Sequence, residues 1–145
     1  MATIPQSYES HARLVPMYHF VSIGLIAVYV LWSLYVVATA FSVAALMSLL
    51  FAIGVMMVGL FARIFPLGVQ DRVIRMEERV RLERLLGPEH RDAIHGMDTN
   101  LLIGLRFASD GEAVELFHAV LREGISDRDE IKKRVKRWRA DHQRI

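Results

Sequence analysis

The sequence predicts an all-α protein: a two-helix transmembrane hairpin followed by a small helical domain of four or five helices. Three observations carry that prediction. Between Arg13 and Arg63 there is no Asp, Glu, Lys or Arg; from Arg63 onward charge is dense; and the charged part shows helical periodicity with no strand alternation. The boundaries follow as a lead over 1–16, a hairpin over 17–62 and a helical domain over 63–145.

The uncharged run is about fifty residues long, whereas ~20 residues at 1.5 Å each cross the ~30 Å hydrocarbon core. Two spans fit it, over Met17–Ala38 and Val43–Ala62, with a turn through Thr39–Ser42. Neither span has the polar face that a helix in a small water-soluble core would carry. Arg13, Arg63, Arg72, Arg75 and Arg79 flank the outer ends and the turn has no basic residue, so the positive-inside rule puts both termini in the cytoplasm. Ala38-Thr39-Ala40 imitates a signal-peptidase site, but the second apolar stretch follows at once and cleavage is not expected.

Pro66 and Gly68 are expected to bend the chain as it leaves the second span. Beyond them Val69, Val73, Met76 and Val80, continued by Leu82, Leu85 and Leu86, predict an amphipathic helix with that stripe as its apolar face. Asp71–Arg75 and Glu77–Arg81 are placed for i,i+4 pairing on the other side. Gly87-Pro88 ends this helix and opens a short one that Gly96 closes. Thr99–Ala108 follows as a helix with Asp98 as its cap. Ser109–Glu112 has capping-box spacing and starts a helix that stops at Gly124. Ser126-Asp127-Arg128-Asp129 opens the last helix, in which Ile131, Val135 and Trp138 share a face.

His19 is the one ionisable side chain inside the apolar run. An intramembrane His can ligate haem or relay protons, but its place less than a turn inside the span favours an interfacial hydrogen bond. Glu115 and His118 have the Glu-x-x-His spacing of di-iron bundles but lack a second copy. Asp92, His95 and Asp98 resemble a weak metal cluster that Gly96 would misalign. Glu77-Glu78 among arginines reads as a salt-bridged helix surface. No cofactor, metal or catalytic residue is therefore assigned, and the chain is not expected to be an enzyme. Absence of Cys removes disulfide and thiolate chemistry.

The basic C-terminal region is more informative. Lys132, Lys133, Arg134, Lys136, Arg137 and Arg139 crowd the last predicted helix. The plain reading is a solvated face; the functional one is contact with anionic lipid or an acidic partner subunit. Nucleic acid is not an expected partner, since no nucleic-acid module is present. In the hairpin, Ala44, Ser48 and Ala52 form a small-residue stripe, with Tyr29 and Trp32 at helical spacing on the first helix. The stripe packs the hairpin on itself or docks another membrane protein.

Four strings occur together: Pro5-Gln6-Ser7-Tyr8 through His11-Ala12-Arg13, Gln70 to Arg79, Leu105 to Asp110, and Ile131 to Asp141. In this combination the chain resembles an uncharacterised bacterial family of small two-span membrane proteins, a domain of unknown function. The resemblance implies a bacterial source and the two-span topology, and no activity. The expectation is a non-catalytic accessory subunit of a larger inner-membrane complex, with bioenergetic (photosynthetic or respiratory) assemblies the first kind to consider and other membrane-protein subunits as partners. The alternative is a membrane-surface adaptor that binds anionic lipid or recruits a soluble partner.

Overall fold

A computed structural model describes Tyr8 and residues Val15–Asp141; the rest of the lead, and with it the first string of the resemblance apart from Tyr8, lies outside the described residues. The chain is all-α: two long apolar helices, then four shorter ones. It divides into two compact units, residues Arg13–Leu67 and residues Met1–Ala12 with Gly68–Ile145.

In the first unit the helix begins with a π-helical turn, Met17–Ser22, and continues as α1, Ile23–Thr39. After Ala40, whose backbone leaves the helical region, α2 starts at Val43, and the Ser42 hydroxyl accepts from the Ala45 N–H at 3.1 Å. Both helices are long and apolar enough to cross a membrane. Small side chains bring them together. Ala45 and Ala52 are buried, and the Gly59 position leaves room for Ile23, whose Cδ1 would lie 3.2 Å from a Cβ there. The Tyr29 and Ser48 hydroxyls bond across the contact at 2.7 Å, and the Tyr18 hydroxyl donates to the Gly59 carbonyl.

The expected bend at Pro66 is not a helix end. α2 runs unbroken from Val43 to Leu86 with Pro66 inside it. Proline removes one N–H from the ladder, and the helix continues past it on its other bonds. A separate helix starting at Val69 is thereby corrected.

In the second unit Gly87 stops α2 at φ +86°, a conformation that a side chain disfavours. A 3-10 turn, Pro88–His90, leads into α3, Arg91–Gly96. The next helix, α4, spans Thr99–Leu105, capped as expected by Asp98, whose carboxylate accepts from the Asn100 N–H at 2.7 Å. Helix α5 is Asp110–Glu123, ended by Gly124 in the left-handed region at φ +64°. α6 is Arg128–Arg134, capped by Asp127. The core gathers Leu82 and Leu86 of α2, Ile94, Leu102 and Leu105, Phe117, and Ile131. α4 and α6 meet closely through Gly104, where a Cβ would stand 3.1 Å from the Arg128 carbonyl oxygen and from Ile131 Cβ.

The last helix is shorter than its apolar spacing predicts. Val135 is already extended, and Trp138 forms a single antiparallel bridge with Ala108. The Arg139 N–H donates to the Phe107 carbonyl at 2.7 Å and the Ser109 N–H to the Arg137 carbonyl at 3.1 Å. Continuing the helix would stack Lys132 on Lys136 and Lys133 on Arg137, like charges one turn apart. The extended path instead sets the Trp138 ring against Phe107, with centroids 4.9 Å apart.

Candidate functional site

Of the apolar face that periodicity suggests for α2, Leu82 and Leu86 lie in the core as expected, but the valine and methionine stripe before them does not. Val69, Val73, Met76 and Val80 are exposed, and the buried positions are Ile74, Glu78, Arg81, Leu82 and Leu86. Glu78 is therefore part of the interior and not of the helix surface, being only 3% exposed.

Arg81 is the hub of an ion-pair network. Its Nη1 donates to Glu78 Oε2 at 2.9 Å, its Nε to Asp110 Oδ1 at 2.8 Å, and its Nη2 to the Ala108 carbonyl at 2.6 Å. The partner expected for Arg81 was Glu77; Glu78 takes that place because it lies on the buried side. Arg139 Nη1 reaches the other Glu78 oxygen at 3.3 Å, and Arg106 Nη1 lies 3.4 Å from Asp141. These groups border an open groove of about 1310 Å³ that is also lined by Val73, Met76 and Val80. Burial pushes the Glu78 carboxyl above its ordinary 4.5, outweighing the attraction of Arg81 and Arg139. Asp110 moves the other way, held below 3.8 by the hydrogen bond from Arg81. Two donors of one guanidinium thus tie α2 to Ala108 and Asp110 where α5 opens, and the third closes on Glu78 within α2.

The six C-terminal cations are divided by the chain's path. Lys132 is buried and bonds Asp129 at 2.8 Å. Arg134 bridges Glu123 and Glu130, each at 2.6 Å, and Arg139 serves Glu78. Lys133 is exposed, with Nζ 5.6 Å from the centre of the Tyr8 ring, and the Lys136 and Arg137 side chains are also exposed. The single basic helix of the sequence reading is replaced by seven helical residues and an extended tail. Glu112 holds that tail, accepting from the Lys136 and Arg137 N–H groups at 3.2 and 2.9 Å. The capping box expected there is altered accordingly: Ser109 opens α5 but its hydroxyl donates to Glu112, at 3.4 Å, instead of capping the helix backbone.

Of the hairpin residues singled out by spacing, Tyr29, Ser48 and Ala52 lie between the two apolar helices. Ala44 is exposed, its place taken by Ala45 one residue on, and Trp32 is 60% exposed on the outer side. The His19 ring turns back on the Val15 backbone, with Nδ1 3.1 Å from its N and 2.9 Å from its O. His95 bonds Glu83 at 2.5 Å, Asp98 caps α4, and His118 packs edge-on against His90. Among the described residues no three His, Asp or Glu side chains converge as metal ligands.

A family model, described as a family of unknown function (DUF6526), matches residues 1–145. The chain belongs to DUF6526. No curated protein and no solved structure matches it.

In this DUF6526 chain the network at Arg81 is the feature that sequence reasoning missed. A signal was present: Glu78 lies in phase with Ile74 and Leu82, at i+4 and i−4, so burying those two brings the carboxylate inward.

Proposed function

We propose that the chain is a membrane-anchored, non-catalytic accessory subunit of a larger complex in a bacterial inner membrane, with both termini cytoplasmic. The observation that carries this reading is α2, a single 44-residue helix whose first part is apolar on its outside and whose last part is the scaffold of a folded, charged unit. Such a helix is suited to holding a domain at a bilayer. The domain's charges support the same reading, because Glu78, Arg81, Asp110, Glu112 and Arg139 are engaged in internal bonds. The adaptor reading is favoured by one observation, the exposure of Lys133, Lys136 and Arg137, which leaves three cations for anionic headgroups at ~1 kcal/mol each.

Affinity purification from native membranes in mild detergent tests the proposal. A defined set of membrane subunits should co-purify and persist at high salt. Replacing Lys133, Lys136 and Arg137 by Gln should leave that set unchanged. A chain recovered alone, or partners lost with the three cations, would favour the adaptor. Reporter fusions at both ends should read cytoplasmic, and a tag in Ala40–Ser42 should be accessible from outside.

A further inference from the structure

We propose that two copies of this chain associate in parallel through the α2 face formed by Val69, Val73, Met76 and Val80. The inference rests on the membrane-anchored reading and names one partner within it. Beyond Gly68, α2 is apolar on two opposite sides. Ile74, Leu82 and Leu86 are sealed in the core, while the four residues of the outer stripe remain 61, 47, 65 and 71% exposed. Their spacings of four, three and four are those of a coiled-coil seam. Val73 and Val80 occupy the a positions, where β-branched residues favour two strands, and Val69 and Met76 occupy d.

The flanking charges select the occupant. Arg72 falls at g and Glu77 at the e position of the following heptad, and both are exposed. Among the described residues neither has an ion-pair or hydrogen-bond partner. In a parallel pair, g of one helix faces the e residue five positions on in the other, so Arg72 meets Glu77 of the second copy, twice by symmetry; the next such positions, Arg79 and Arg84, are held in their own chain by the His95 carbonyl and by Asp110. An antiparallel pair would bring arginine to arginine at g. Parallel is also the orientation forced on two copies inserted the same way in one bilayer. Four seam positions form a short interface, and co-insertion supplies the effective concentration that it needs.

The sequence has no cysteine, so single cysteines report on the seam directly. In the full chain in native membranes, Val73→Cys, Met76→Cys and Val80→Cys should each give an oxidised dimer of twice the chain mass. The yield should exceed that of Gly68→Cys or Arg122→Cys, on exposed surfaces off the seam, by about tenfold, because a disulfide needs Cα atoms within ~7 Å. Adding Arg72→Glu to Val73→Cys should cut the dimer severalfold, and adding Glu77→Arg as well should restore it. Equal cross-linking at all positions, none at the seam, adducts containing another protein, or indifference to the charge reversal would each overturn the proposal. Resistance to alkaline carbonate extraction reads the anchoring separately. A chain that is extracted but still cross-links at the seam would sink the membrane reading and uphold the pair.

Discussion

In the hairpin, Leu25, Trp32, Phe51 and Val58 are each at least 60% exposed, whereas in the domain Phe107, Phe117, Leu82 and Ile94 are essentially sealed. Both regions are helical, and both are rich in large apolar side chains. They differ in what the apolar side chains face. The helices of the hairpin meet through Ser33, Ala45, Ala52 and Gly59 and turn their bulk outward. The domain uses large residues at its centre, and the charge it buries is paired, as at Glu78–Arg81 and Lys132–Asp129. Where the surroundings are as apolar as Leu, close approach of small residues holds helices together; in water, burial of large ones does.

The comparison can be broken most severely at Phe107. Phe107→Ala should destabilise the domain by about 3–5 kcal/mol, the usual loss for a buried aromatic, in chemical denaturation of the detergent-solubilised chain. Phe51→Ala, at a position 69% exposed, should leave the same transition in place. Equal losses at the two sites would mean that Phe51 is covered.

Glu78→Gln comes next, at roughly 1–3 kcal/mol for a buried group that loses charged partners, and its effect should depend on pH. The folded carboxyl binds its proton more tightly than the unfolded one. The stability it contributes is therefore fully present below about pH 4.5 and is lost as pH rises through the folded value. The melting-temperature gap between wild type and Glu78→Gln should be widest near pH 4 and narrower at pH 8. Asp110→Asn should behave oppositely, its deficit present at neutral pH and vanishing as pH falls below 3.8 through the lower folded value. Parallel trends for the two variants would refute the opposed shifts.

In the hairpin, Ser48→Leu should cost about 1–3 kcal/mol by overpacking while also removing the bond to Tyr29. On the proposed membrane-subunit reading, insertion should be normal because the span remains hydrophobic, and the loss should appear as lower thermal stability with the co-purifying proteins unchanged. Loss of the subunits without loss of stability would make Ser48 a docking residue. The smallest effect belongs to Ser33→Ala. Its hydroxyl is buried with no hydrogen-bond partner among the described residues, so removal should be neutral or stabilising by up to about 1 kcal/mol; a clear destabilisation would show that the hydroxyl does make a bond.

Much of this was legible in the residues. Gly87-Pro88, Asp98 and Gly124 mark helix ends because each satisfies a local backbone requirement, visible without tertiary context; Ser109 marks one as well, although its hydroxyl turns to Glu112. Pro66 misled because a helix loses one bond at proline and ends only if something else favours ending. The stripe from Val69 to Val80 was correctly grouped on one face, but periodicity tells which residues share a face and not what that face meets. Trp138 escaped for a related reason. Its i+7 spacing from Ile131 fits a helix, and only the distant pairing with Ala108 and the carboxylate of Glu112 draw the tail straight.

That tail pairing also determines where the chain can change length. The bridge between Ala108 and Trp138 closes a loop of about 30 residues, and closure entropy grows so slowly that doubling a loop costs only ~0.6 kcal/mol. A few residues inserted between Ile125 and Asp127 would lengthen this loop at little cost, since Ile125 stays in the core and Asp127 still caps α6. One residue inserted between Val135 and Trp138 is another matter. The single bridge holds Trp138 opposite Ala108, so the shift would carry Trp138 off Phe107 and bring Arg137 to the bridged position. Insertions should therefore accumulate in the α5–α6 turn, while the few residues of the tail keep a fixed count.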